Sequence, residues 1–188
     1  MSLKNRIFNY MWRHFKPSMN SLVKDKKGNI IPDVRIGNTT NLGNPENLNI
    51  ETNVFIGHYN TIDASNGITI NEGCQITNYI SILTHSSHIS IRLYGAEYRK
   101  HKDLVAYNKA SVSIGKYCFI GPHTVIMPGT TIGKGSLVSA YSYVKGEFDE
   151  FSIIAGNPAK KIGDTRELDK PYLEKHPELL SFYKNWAE

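Results

Sequence analysis

An all-β solenoid, flanked by a short N-terminal helix and C-terminal capping helices, is the fold class this sequence predicts. Three observations carry it: an aliphatic residue recurs every six positions, a small residue stands two positions before each, and glycines punctuate the same stretch. From Ser111 onward, Ile114, Ile120, Ile126, Ile132, Val138 and Val144 fall six apart without exception. A helix turning about 100° per residue would rotate successive members by about 240°, and a flat strand would have to be implausibly long to keep them on one side. The chain must therefore turn at regular intervals. Val112, Cys118, Thr124, Thr130, Ser136 and Ser142 form the small series, and Gly115, Gly121, Gly129, Gly133 and Gly135 supply turn residues. Short strands stacked coil upon coil, with the aliphatics in the lumen, satisfy all three patterns.

The earlier half follows the rule with more drift. Ile50, Ile56, Ile62, Ile68, Cys74 and Ile80 are six apart, as are Ile70, Ile76 and Ile82, while Ile36, Leu42, Leu48 and Val54 make an earlier register. The hexad is lost from Thr84 to Ala110, which predicts a loop thrown out of the coil, and long excursions from compact domains are usually functional. Three segments follow: 1–33, an N-terminal helical segment; 34–164, the solenoid with its extruded loop at about 84–110; and 165–188, a helical cap. Ile7, Phe8, Met11, Trp12 and Phe15 share one face of a helix over residues 3–16. Leu173, Leu179, Leu180, Phe182, Tyr183 and Trp186, interrupted by Pro171 and Pro177, predict two short helices covering the coil's open end.

Composition narrows the function classes. The 188 residues suffice for one main domain with small appendages. No apolar run reaches membrane-spanning length, and Asn9, Arg13 and His14 break Ile7 to Phe15 where a signal peptide would be continuous, so a soluble, cytoplasmic protein without an integral membrane segment is expected. Cys74 and Cys118 both occupy repeat positions, which reads as packed reduced thiols. A net charge of +5 favours acidic or phosphorylated ligands. Aromatic residues do not alternate with Lys or Arg, and the run Arg99-Lys100-His101-Lys102 is short, so no nucleic-acid partner is expected.

The hexads IGPHTV, IMPGTT and IGKGSL, followed by SAYSYVKG and then AGNPAKKIG, resemble the hexapeptide-repeat acyltransferases, a left-handed parallel β-helix family that includes galactoside, maltose and capsular-polysaccharide O-acetyltransferases. The resemblance covers about residues 34–164. It implies acetyl transfer from the co-substrate acetyl-CoA to a sugar hydroxyl in surface-glycan or oligosaccharide metabolism, without a metal, by a homotrimer acting on a sugar or glycan acceptor between adjacent coils. The family's catalytic His ends a coil just before the extruded loop, and Thr84-His85 occupies that place.

The chemistry asks for such a residue. A sugar hydroxyl is a weak nucleophile at neutral pH, and a neutral imidazole can accept its proton and pass it to the departing thiolate. His85 is therefore the expected general base, with His88 as a second candidate for base or sugar contact. The group that orients the imidazole is open among Asp63, Asn60 and backbone carbonyls. By resemblance, Ala140, Lys145, Lys160 and Lys161 line the acetyl-CoA site, the lysines near the nucleotide phosphates. Pro122 stands where the family often has Ser, Gly163 lacks a second basic side chain, and His123 reads as wall or interface. Tyr94, Tyr98 and Tyr107 offer faces to a sugar ring or pack between subunits, and Ser86 to Ala110 would set the acceptor. The alternative is N-acetylation of a nucleotide-linked amino sugar. Zinc carbonic anhydrase chemistry and a non-catalytic scaffold are further readings, since one fold hosts many functions.

Overall fold

A computed structural model describes residues 2–188, except for the side chains of residues 13–15. Short strands form three parallel sheets that the chain visits in turn. The first face stacks Arg35–Gly37, Phe55–Ile56, Gln75–Ile76, Phe119–Ile120, Leu137–Val138 and Ser152–Gly156. Asn41–Gly43, Thr61–Asp63, Ser81–Leu83, Val125–Ile126 and Tyr143–Val144 make the second, and Leu48–Ile50, Ile68–Ile70, Val112–Ile114, Thr131–Ile132 and Glu147–Phe148 the third. Each circuit adds one strand to every face, in parallel register, as where Ile56 lies between Ile36 and Ile76.

The hexad aliphatics fill the lumen. Ile56, Ile62, Ile70, Ile76, Ile82, Ile114, Ile120 and Ile126 are wholly removed from solvent, each burial contributing about 1.5–3 kcal/mol of hydrophobic stabilisation before conformational entropy is charged. The small series solves a different problem. A corner hydroxyl cut off from water needs a partner, and Thr124, Thr130, Ser142 and Ser152 each donate at 2.7 Å to the carbonyl three residues back. The Cys74 and Cys118 thiols, free and buried, donate likewise to the Gly115 and Gly133 carbonyls.

Two corners turn through left-handed residues. On one, Tyr59, Tyr79, His123 and Tyr141 take φ near +60°, and their rings stack in a ladder with centroids 5.1, 5.0 and 4.7 Å apart. On the other, glycine alternates with aromatic residues because the rings need the space: a Cβ on Gly73 (φ +73°) would fall 2.4 Å from the Tyr117 ring.

The third corner changes size along the coil. Ile126 and Ile132 are neighbouring lumen residues on the second and third faces, whereas Ile62 and Ile70 play those parts eight positions apart. The wider corner, 64–67, lies one coil before the point where residues 84–110 leave the solenoid. This excursion contains α2 (Ser90–Tyr94) and a 3₁₀ turn, Gly95–Lys100. It leaves and rejoins at one place, with Ala110 N–H donating to the Thr84 carbonyl at 3.1 Å.

The termini depart from the sequence expectation in detail. The N-terminal helix α1 (Leu3–Phe15) is capped by Ser2, but its Leu3, Ile7, Phe8, Met11 and Trp12 are exposed; Phe15, counted on the same apolar face, lies outside the described side chains. The rest of the 1–33 segment is extended rather than helical. Met19–Asn20 pairs antiparallel with Ile36 and Gly37, and Val23 and Ile31 pack on the first coil. At the far end, Ala159–Asp164 folds back as an antiparallel edge on Ser152–Gly156, which keeps the last coil from presenting an open strand. Helices α3 (Thr165–Lys175) and α4 (Leu180–Ala187) follow, with Pro171 inside α3 rather than ending it. They pack on the coil's flank, where Trp186 meets the rings of Tyr117 and Phe151.

Candidate active site

Coils of twenty residues place the start of the loop over the wide corner. Leu83 stands in register with Asp63, so Thr84 lies above Ala64 and His85 above Ser65. His85 Nδ1 is 2.6 Å from Asp63 Oδ2 and 3.2 Å from Ser65 Oγ. Thr84, wholly buried, donates to the Asp63 carbonyl at 2.9 Å and accepts from the Asn66 N–H at 3.0 Å. Asn66 also donates its side-chain amide to Ser65 Oγ and to the Thr84 carbonyl. Ser65 holds the carboxylate from the other side, through its N–H and its hydroxyl, each at 3.2 Å.

These contacts decide the charge of Asp63. Burial pulls its carboxyl up, but the Ser65 N–H and hydroxyl together with the His85 ring outweigh it and hold the acid below the ordinary carboxylate range. A carboxylate at 2.6 Å makes Nδ1 the protonated nitrogen, with Nδ1–H donating, and leaves the Nε2 lone pair free. The His85 side chain is 41 % exposed against 18 % for Asp63, so the ring is open to solvent while its anchor is half-buried.

The loop supplies the other wall. His85–Ser86 and Asn108–Lys109 pair antiparallel, which sets Lys109 directly opposite His85. Tyr107 stacks on the imidazole, with centroids 5.7 Å apart and planes 15° from parallel. Burial, then the nearby Tyr98 and Asp63, raise the Tyr107 phenol above its usual range, so it stays protonated at neutral pH.

Other expected residues fall elsewhere. Asn60 is not an orienting group for the imidazole: it is buried, donates to the Thr77 carbonyl at 2.9 Å and accepts from the Ile80 N–H at 2.8 Å, so its amide ties two coils together. His88 is exposed at the entrance to α2, with Nδ1 2.8 Å from Ser86 Oγ. Ala140 and Lys145 are exposed on later coils, and Lys160 and Lys161 on the terminal antiparallel strand. Sequence reasoning did not single out Ser65 or Asn66, nor the pairing of Tyr107 and Lys109 with His85. Among the described residues no three His, Cys, Asp or Glu side chains gather as metal ligands, and no helix is long and apolar enough to cross a membrane.

Comparison with known proteins agrees with the coil. The family described as bacterial transferase hexapeptide (six repeats) matches residues 111–146. Galactoside O-acetyltransferase of Escherichia coli (strain K12) is 26 % identical over 176 residues, 90 % of this chain and 82 % of that protein. Among solved structures, a galactoside acetyltransferase in complex with coenzyme A superposes with a TM-score of 0.65 at 24 % identity, over 74 % of this chain and 66 % of that one. AntD, an N-acyltransferase from Bacillus cereus in complex with dTDP and 3-hydroxybutyryl-CoA, gives 0.59 at 21 % identity, over 77 % and 89 %. These likenesses give the coil its hand: it is a left-handed parallel β-helix.

Proposed function

We infer that this chain, which resembles the hexapeptide-repeat acyltransferases, is an acetyl-CoA-dependent acyltransferase that acetylates a sugar hydroxyl, with His85 as general base and Asp63 as the group that orients it. One observation carries the reading: an imidazole fixed at 2.6 Å by a half-buried carboxylate, with its Nε2 lone pair free, at the mouth of the loop that interrupts the coil.

The step follows from that tautomer. The acceptor hydroxyl gives its proton to Nε2 as its oxygen attacks the thioester carbonyl. The tetrahedral intermediate then expels the thiolate, which takes the proton back from Nε2 and leaves as CoA-SH, while the imidazolium is stabilised by Asp63 in between. Ala140, Lys145, Lys160 and Lys161 are assigned to the donor, whose phosphates suit mobile ammonium groups. A homotrimer, a β-helical domain over residues 34–164 and a cytoplasmic location, where acetyl-CoA is made, belong to the same reading.

The second reading is N-acylation of a nucleotide-linked amino sugar, favoured by the likeness to AntD, whose structure holds dTDP. An amine that arrives neutral needs less help from a base, so the two readings differ in what loss of His85 costs. The test is release of CoA thiol from acetyl-CoA with sugars and nucleotide-linked amino sugars as acceptors. His85→Ala is expected to lower kcat by about 10²–10⁴ with a hydroxyl acceptor, and His88→Ala by less than about tenfold. Loss in His88→Ala alone would overturn the assignment, and full activity of His85→Ala toward an amine would favour the second reading.

A further inference from the structure

The extruded loop contains a cation-lined cavity that the acyl-transfer step does not use. Residues 84–110 carry five Lys or Arg against two Asp or Glu, a net +3 of the chain's +5. Within the loop, a cavity of about 510 Å³ is lined by Tyr98, Lys102, Asp103, Tyr107 and Lys109 among others. It adjoins His85 through two separate contacts: Tyr107 stacks on the imidazole, and Lys109 is its partner across the two-stranded ribbon. Directly opposed residues on such a ribbon project to the same side with Cβ atoms about 4.5–5.5 Å apart.

The cations here are not spent on carboxylates. Lys100, outside the cavity, is paired with Glu97 at 2.9 Å. Among the described residues neither Lys102 nor Lys109 has an ion pair; Lys109 Nζ instead lies 5.1 Å from the centre of the Tyr107 ring. Asp103 is the one carboxylate of the lining, against two ammonium groups. The Asp63 carboxylate beneath lies outside the lining and is held by hydrogen bonds from the His85 Nδ1–H and from the Ser65 N–H and hydroxyl. The lining itself therefore offers two ammonium groups against one carboxylate, with phenols and aromatic faces, and it meets His85 through Tyr107 and Lys109.

We propose that this cavity binds an anionic group of the acceptor, a carboxylate or a phosphate, between Lys102 and Lys109, while the acceptor's sugar ring lies against the loop tyrosines and its nucleophile reaches His85 Nε2. The proposal rests on the acyl-transfer reading and adds to it the charge of the substrate. An acceptor charged in this way is held about one sugar ring from the imidazole, because the ammonium and imidazole project side by side. A neutral glycoside meets the same tyrosines but leaves both ammonium groups unmatched.

The test measures binding apart from turnover. Three matched probe sets are titrated into the unsubstituted protein and into His85→Ala: methyl glucoside and methyl galactoside, glucuronate and galacturonate, and glucose 1-phosphate and galactose 1-phosphate. In both proteins the anionic probes are expected to bind at least about tenfold more tightly than the neutral ones, the preference shrinking as salt rises from about 0.05 to about 0.5 M. Carboxylate against phosphate sugars then identifies the anion. Lys109→Gln and Lys102→Gln are each expected to remove about two- to fivefold of the preference, with Lys109→Arg restoring most of it and unchanged thermal unfolding excluding a folding defect. Equal binding of neutral and anionic probes, absence of binding by every anionic probe, or a preference unaffected by both Lys→Gln variants would overturn the proposal. Anion-selective binding together with undiminished acetyl transfer in His85→Ala would instead overturn the base assignment alone.

Discussion

At the scale of single residues, the arrangement around Asp63 divides labour between a group that reacts and a group that holds it. Asp63→Asn keeps the shape but offers an amide in place of a carboxylate, so the tautomer of His85 is no longer dictated and the imidazolium loses its counter-charge. The expected result is a fall in kcat of about 10²–10⁴ with KM changed by less than about threefold, and an equal loss in kcat/KM. The same carboxyl also links stability to pH. Because its folded value is depressed, its contribution is present above the ordinary carboxylate range and is lost as pH falls through the lower folded value. The stability gap between wild type and Asp63→Asn therefore narrows from pH 5 towards pH 2 in chemical unfolding. Counting in hexads, the sequence puts Gly67 eighteen places before His85; the structure puts Ser65 beneath it, because these coils have twenty residues. That two-residue widening of one corner hid Ser65 and Asn66 from a reading based on period alone.

Elements were legible in proportion to how far local pattern determined them. The hexads from Val112 to Val144 appear as strands with each aliphatic inward, since nothing but a regular turn accommodates that spacing. Pro171 was read as a break, yet it lies inside α3 at the seventh position, where the helix continues despite the loss of one backbone donor. The start of that helix is itself testable. Asp164 accepts from the Arg166 N–H at 2.9 Å and forms two side-chain bonds with the Arg166 guanidinium, which holds its carboxyl at about 2. Asp164→Ala is expected to destabilise the protein by about 0.5–2 kcal/mol at neutral pH. Since the folded value is depressed, the difference persists above about pH 4 and fades between about pH 4 and 2 in thermal melts. The exposed apolar face of α1 shows the limit of the pattern: periodicity identifies the stripe but not what covers it.

Across the whole molecule, stability is distributed along the coil rather than concentrated in one core. An aliphatic of an inner coil lies between the coils on either side, so its loss leaves a void that neighbours bonded at both edges cannot close. Ile126→Ala, on a strand of the second face that is paired on both edges, is expected to cost about 2–5 kcal/mol by denaturant titration. The same repetition explains why fold was easier to read than chemistry. A solenoid states its rule many times over, whereas the dyad depends on a wide corner and an excursion that meet at one coil.

The excursion ends where it begins, Thr84 and Ala110 being joined by a backbone hydrogen bond. A stretch closed at its own base can be lengthened, shortened or exchanged while the coils above and below keep their register, and the entropic penalty of added length grows only logarithmically. Descent from a common ancestor can thus retune which molecule is modified by editing one cassette, leaving the machinery of transfer as inherited.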